Sequence, residues 1–368
     1  MHYRLAHTRW PDEVENAAWD YGTNLAYLQT LTGYWQTGFN WREQERLMNR
    51  FPHYRAQVDG NGIHFIHVRG QGPSALPLLI THGWPSSFVE MLDLIPLLAD
   101  PGAHGADPAD AFDVVVPSVP GFGFSDRPVR RGMTRSRVAA LFAGLMQGLG
   151  YERFGTHGND IGAVITAWLA NDFPEHLIAI HTMMPGFPPA VVGPDVRPLT
   201  EAEQTIAGLQ ARWEQEEGGY NLIQETRPQT LAYGLNDSPV GLAAWILEKW
   251  RAWTDPAGDV ERYFSRDFLL ANIMVYWITG TANSANRSYY ERARDPRRIT
   301  SRISVPAGVA LSTEAVQRIP REQADRSYAD IRRWTEFPRG GHFFAAEQPG
   351  LLAEELRAFF RPFRRGLK

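Results

Sequence analysis

The chain has 368 residues, 43% hydrophobic and 21% charged, the balance of an ordinary soluble globular protein with room for one large α/β domain carrying an insertion, or for two domains. A formal net charge of -4, with only Lys249 and Lys368 as lysines among 37 basic residues spread along the chain, excludes a nucleic-acid partner. With no cysteine there is no disulfide framework, thiolate nucleophile or cysteine metal site; with no run of 18 apolar residues and no apolar signal segment in the first twenty, the expectation is a cytoplasmic protein without a membrane anchor.

Residues 1–55 are crowded with rings: Trp10, Trp19, Tyr21, Tyr27, Tyr34, Trp35, Phe39 and Trp41. Helical patterns cover 24–28 and 43–51, and so many aromatics predict a meander packed over something larger. Arg55–Asp59 and Ile63–Val68 alternate as two antiparallel strands about Gly60-Asn61-Gly62. Leu76–Thr81 is a short apolar strand of the kind buried in a parallel sheet. Ser86 or Ser87 caps a predicted helix through Phe88, Met91, Leu92, Ile95 and Leu98. Asp113–Pro117 is another buried strand, and Ser136–Leu149 an amphipathic helix ended by Gly150. A strand from Phe154, its helix, and a strand over Leu177–Met183 follow.

This alternation specifies a mostly parallel twisted sheet with helices on both faces. The rhythm breaks at Pro185. Residues 185–298 carry helical patterns, among them Pro239–Trp253 and Phe268–Thr279, and then strands resume at Val305–Leu311 and Ile331–Phe337 before a closing helix over Gly350–Phe360. The expected division is a meander (1–55), a first part of an α/β core (56–184), a helical cap (185–298) and a second part of the core (299–368).

The most informative stretch is Phe154-Gly155-Thr156-His157-Gly158-Asn159-Asp160-Ile161-Gly162-Ala163. It reads as strand, tight turn and immediate helix, and resembles the nucleophile elbow of α/β-hydrolases, with Asp160 in place of serine. A carboxylate attacking an acyl carbonyl would form an anhydride, whereas attack on an sp³ carbon gives a hydrolysable ester, so epoxides or alkyl halides are the expected substrates. The competing reading of Asp160 is a plain helix cap.

Two further loops at the carboxyl edge of the sheet carry chemistry. In α/β-hydrolases the loop here occupied by His82-Gly83-Trp84-Pro85 supplies one oxyanion amide and the residue after the nucleophile the other, which maps to Trp84 and Ile161. His342, in Gly340-Gly341-His342-Phe343, follows a strand in the histidine's place in the chain order nucleophile, acid, histidine. Glu314 after Val305–Leu311 is the expected acid, with Glu322, Asp325 and Asp330 as rivals. Val119–Pro128, with Phe122 and Phe124 between prolines and glycines, is expected to be architectural.

With these residues in place, and with Leu235–Ala243 and Trp334–Phe343 in support, nearly the whole chain resembles the epoxide hydrolases, specifically the microsomal-type branch with its aromatic amino-terminal meander. The resemblance implies two cap tyrosines holding the epoxide oxygen, carried over onto Tyr220 and Tyr289, with Tyr290 open as the alternative to the latter. It implies a two-step reaction to a vicinal diol through an Asp160 ester, without metal or organic cofactor, on a hydrophobic epoxide. The expected pocket is apolar and aromatic, lined by His82, Trp84, Pro85, Phe122 and cap residues. Two departures are Ile161, where the family often has Trp, and Asn159, where it often has Gly. A haloalkane dehalogenase and a non-catalytic binding protein of the same fold are the alternatives, and a homodimer and a place in bacterial secondary metabolism stay open.

Overall fold

The computed structural model describes residues 1–186, 197–255 and 259–364. The strands are His53–Val58 (β1), Asn61–Val68 (β2), Leu76–Thr81 (β3), Phe112–Pro117 (β4), Phe154–Gly158 (β5), Leu177–Thr182 (β6), Ala307–Leu311 (β7) and Ile331–Glu336 (β8). They form one sheet in the order β1-β2-β4-β3-β5-β6-β7-β8. β1 and β2 pair antiparallel, as do β2 and β4, and every other neighbouring pair is parallel.

β3 shows why its sequence is apolar along its length. Leu78 and Ile80 enter one core with Leu94, Leu98, Leu352 and Leu356, whereas Leu79 enters the opposite core with Val138, Phe142, Ile165 and Leu169. Successive side chains point to opposite faces, and helices cover both, so Leu76–Ile80 is apolar and the one polar residue, Thr81, stands at the strand's end. Each such fully buried aliphatic side chain contributes roughly 1.5–3 kcal/mol.

Two local expectations are corrected. The hairpin turns at Asp59 and Gly60, with φ of 46° and 73°, and Val58 pairs with Asn61, so Asn61 and Gly62 already belong to β2. Two positive φ values in a two-residue loop match the right-handed twist of the strands. The single helix expected after Ser87 is a 3₁₀ turn, Phe88–Met91, followed by a separate helix, Leu94–Ala99. Pro96 is the cause: its ring would meet the Leu92 carbonyl one turn back, and it has no N–H to give.

The amino-terminal segment forms helices His2–Ala6, Leu25–Thr37 and Trp41–Met48, the second capped by Asn24, whose Oδ1 accepts from the Tyr27 amide at 2.9 Å. Trp35 is 1% exposed, but Tyr21 is 80% exposed on the loop before that cap, so the rings of this segment are not uniformly buried.

Among the described residues from 197 to 293 there is no strand; helices run Glu201–Glu217, Gly219–Thr226, Pro228–Asp237, Pro239–Trp253, Val260–Tyr263, Arg266–Thr279 and Ala282–Ala293. This layer is pinned to the sheet domain at Glu203. Its carboxylate accepts from Arg326 Nε at 2.6 Å and Nη2 at 2.8 Å and from Arg197 Nη1 at 3.0 Å, while closing a capping box with Thr200. The Arg326 guanidinium holds this carboxyl down at about 2. Thr81 pairs with Gly158 and Gly158 with Thr182, so the loops after β3, β5 and β6 leave one sheet edge side by side. That edge faces the helical layer, at the point where strand order reverses.

Candidate active site

Asp160 sits between β5 and the helix Ile161–Asp172 with φ 50° and ψ -124°, a conformation costly for a residue with a Cβ. Its side chain makes no capping bond to that helix, so the helix-cap reading of Asp160 fails. Gly158 and Gly162 are required by crowding, not by φ. A Cβ on Gly158 would stand 2.2 Å from the Gly162 carbonyl carbon, and one on Gly162 would stand 2.1 Å from the Thr81 carbonyl oxygen. The turn can be this tight only because neither residue has a side chain.

The Asp160 carboxylate faces both expected partners. The Trp84 amide donates to Oδ1 at 2.8 Å, and His342 Nε2 lies 3.6 Å from Oδ2. Ile161 contributes the first amide of the helix, one of those with no acceptor within it. On the far side of the imidazole, His342 Nδ1 is 3.0 Å from Glu314 Oε2. The rival acids are engaged elsewhere or remote: Glu322 accepts from Thr200 Oγ1 at 3.0 Å, Asp330 pairs with Arg332, and Asp325 is exposed.

Burial opposes a charge on His342, but Glu314, followed by Asp160 and Glu90, outweighs it and raises the imidazole to about 9. The loop carrying His342 is held from three directions. Its amide donates to the Trp253 carbonyl at 2.8 Å, its carbonyl accepts from Asn159 Nδ2 at 2.5 Å, and the buried Glu347 carboxylate accepts from the amides of Gly341 and Phe343 at 2.8 and 3.0 Å. Asn159, a departure from the family pattern, thus ties the elbow to the histidine loop. Sequence reasoning passed over Glu347 and also Glu90, a buried carboxyl that lines a small void with Asp160, Asn159 and His342 and is raised by burial to about 7. The only available signal was an acidic residue inside an otherwise apolar stretch.

Above Asp160 lies a cavity of about 360 Å³. Tyr220 and Tyr289 both line it, with ring centroids 6.1 Å apart, and Tyr220 stacks on Trp84 at 4.9 Å. Burial, with Asp160 adding to it, raises both phenols above their ordinary value, so both remain protonated donors at neutral pH. Tyr290 instead lies beneath the Arg294 guanidinium, 3.5 Å from its carbon, and is not in the cavity wall.

Four expected pocket residues are corrected. His82, Trp84, Pro85 and Phe122 are not in the wall of the large cavity. His82 is a loop clamp: Nδ1 meets the Gly83 carbonyl at 3.1 Å and Nε2 accepts from the Val119 amide at 3.2 Å, and burial holds it neutral, down at about 4. The Pro85 carbonyl accepts from Asn272 Nδ2 at 2.9 Å, and Phe122 packs between His82 and Tyr276. Trp84 supplies its amide and a stacking surface from behind Tyr220. His82 and Trp84 line the small void beside Asp160 and His342 instead, and the helical layer, arriving from far along the chain, supplies much of the larger cavity's wall. That wall adds Val164, Met184 and Trp213, and also Arg135, Gln210, Glu214, Asn221 and Arg292, so it is more polar than expected. Among the described residues, no group of three or more His, Asp or Glu could hold a metal ion.

Comparisons with known proteins agree on one family. Residues 1–91 match the family described as epoxide hydrolase N terminus, and residues 77–249 match the alpha/beta hydrolase fold. The chain is 46% identical over 362 residues to a Stigmatella aurantiaca protein provisionally named an epoxide hydrolase, covering 98% of this chain and 81% of that one. It is 36% identical to epoxide hydrolase 1 of Sus scrofa, covering 98% and 85%. The crystal structure of juvenile hormone epoxide hydrolase from Bombyx mori superposes with a TM-score of 0.84 at 29% identity, over 100% of this chain and 91% of that one. The expected α/β-hydrolase architecture is therefore the observed one.

Proposed function

The chain belongs to the microsomal-type epoxide hydrolases, and from that premise we propose how its own residues open an epoxide. Asp160 Oδ1 is already held by the Trp84 amide, which leaves Oδ2 as the attacking atom. Oδ2 displaces the oxirane oxygen from carbon by backside attack, and the departing alkoxide takes a proton from Tyr220 or Tyr289. The result is an Asp160 ester with Oδ1 as its carbonyl oxygen. His342 Nε2 then removes a proton from water as the hydroxyl adds to the ester carbonyl, and the amides of Trp84 and Ile161 carry the oxyanion. Collapse breaks the acyl–oxygen bond; the leaving alkoxide takes the proton from the imidazolium to give the vicinal diol, and the proton of the new carboxylic acid returns to the tyrosine phenolate, which restores the carboxylate, the phenol and neutral His342. Glu314 orients the imidazole and balances its charge.

The observation that carries this reading is the chain of contacts Trp84 amide, Asp160, His342, Glu314, with separations of 2.8, 3.6 and 3.0 Å. A single-turnover reaction with enzyme in excess in ¹⁸O-labelled water tests it. The first diol must carry unlabelled oxygen, because that oxygen comes from Asp160; label in the first turnover means that water attacked the epoxide directly.

The division into meander 1–55, core 56–184, cap 185–298 and core 299–368 is part of the proposal, as are a hydrophobic body for the substrate against Trp213, Tyr220 and Met184, a cytoplasmic site of action, a homodimeric state and a role in bacterial secondary metabolism. No helix of the described residues is long and apolar enough to cross a membrane.

A further inference from the structure

Three basic residues are buried among the described residues: Lys249, Arg326 and Arg135. Lys249 pairs with Glu217 at 3.0 Å and with Glu248 at 2.7 Å, and Arg326 grips Glu203 with two nitrogens. Arg135 is different. It is 2% exposed, opens the helix Arg135–Gly148, and lines the catalytic cavity with Asp160, Tyr289 and Arg292. Its Nη2 donates to Ser288 Oγ at 3.1 Å, and its guanidinium carbon lies 5.7 Å from the Tyr289 ring centroid. Nε and Nη1, both shut away from solvent, have no hydrogen-bond partner among the described residues.

A guanidinium has five N–H donors and keeps its charge in proteins, so burying it with two nitrogens idle is costly unless something else meets them. Burial lowers this guanidinium to about 10, which still leaves it cationic at neutral pH. The neighbouring Arg292 cannot help, since it carries the same charge and is itself bonded to Asn221 and Glu225. The nearby carboxylate whose charge favours the cation is Asp160. In the proposed reaction that carboxylate becomes a neutral ester. At that stage the guanidinium loses its compensation just when the substrate is fixed beside it.

We propose that Arg135 binds an anionic oxygen group, in the simplest case a carboxylate, carried on the substrate beside its hydrophobic body, so that acidic epoxides are favoured over their neutral counterparts. The idle Nε and Nη1, which solvent does not reach in this structure, supply the donors once the guanidinium turns towards the bound anion about its Nη2 bond to Ser288. This deepens the reading of the same site as an epoxide hydrolase and rests on it.

The test compares kcat/KM for meta- and para-carboxystyrene oxide with that for their methyl esters, in the native protein and in Arg135→Met. A charge-assisted hydrogen bond in a buried site amounts to roughly ten- to a hundred-fold. The native protein should prefer at least one acid over its ester by that factor, and Arg135→Met should lose the preference. Equal rates on acid and ester in the native protein, or a preference that survives in Arg135→Met, or an equal loss on both substrates, overturns the proposal. Inhibition of styrene oxide hydrolysis by phenylacetate and by phenylacetamide needs no variant: phenylacetate should bind at least ten-fold tighter, and equal inhibition constants refute it. Hydrolysis of styrene oxide without acid preference defeats this inference alone, whereas no hydrolysis of any epoxide defeats the assignment beneath it.

Discussion

Replacing His342 with glutamine separates the two halves of the proposed reaction. Glutamine fills the space of the imidazole but cannot take a proton from water, while the Trp84 amide still holds Asp160 Oδ1 at 2.8 Å and both cap phenols remain in the cavity wall. Esterification should therefore continue and hydrolysis should slow by the worth of a general base, roughly 10²–10⁴-fold, or about 3–5 kcal/mol on the second barrier. With esterification faster than hydrolysis, the ester accumulates until nearly every site is occupied. Intact-protein mass spectrometry after mixing His342→Gln with styrene oxide should show a gain of one substrate mass, and proteolysis should place it on the peptide containing Asp160. Loss of turnover without an adduct, or an adduct on another peptide, would refute the division of labour between Asp160 and His342.

Three other outcomes are expected. Hydrolysis of the ester needs neutral His342, so its rate should rise with pH as the imidazolium deprotonates; Glu314→Gln removes the leading charge that lifts His342 towards about 9, which should shift the rising limb to lower pH and lower the plateau in a single-turnover pH profile. Asn159→Gly deletes the bond from Nδ2 to the His342 carbonyl and should cost about 1 kcal/mol of stability by denaturant melting, with slower ester hydrolysis than esterification. Arg326→Met leaves the buried Glu203 carboxylate with Arg197 as its remaining cation and should cost roughly 1–3 kcal/mol, recovered in part by adding Glu203→Leu. Because the native Glu203 carboxyl is depressed to about 2, its contribution is full above its ordinary value near 4.5 and is lost as pH falls towards 2, a loss that acid unfolding of the double variant should no longer show.

What could be read in advance was what is local. β3 was legible residue for residue because a strand covered on both faces is apolar throughout, and the elbow because Gly158 and Gly162 leave few other conformations to the turn. Glu314 followed from chain order, and it is the acid that meets His342. The pocket wall was not legible. The motif His82-Gly83-Trp84-Pro85 names a loop but not the side from which the helical layer approaches it, so His82, Pro85 and Phe122 were placed in a wall that other residues form. Arg135, Met184, Trp213 and Arg292 come together only through packing between segments far apart in the chain, and none carries a local pattern. Pro96 is a different case: it broke the helix after Ser87 by a rule available from the start, where the apolar spacing alone suggested continuity.

The tether between the Trp253 carbonyl and the His342 amide, reinforced by the Trp250 ring lying 3.8 Å from that of Phe343, has a mechanical consequence. The helical layer and the proton acceptor share a fastening, so any displacement of the layer at that end would drag the imidazole off the nucleophile.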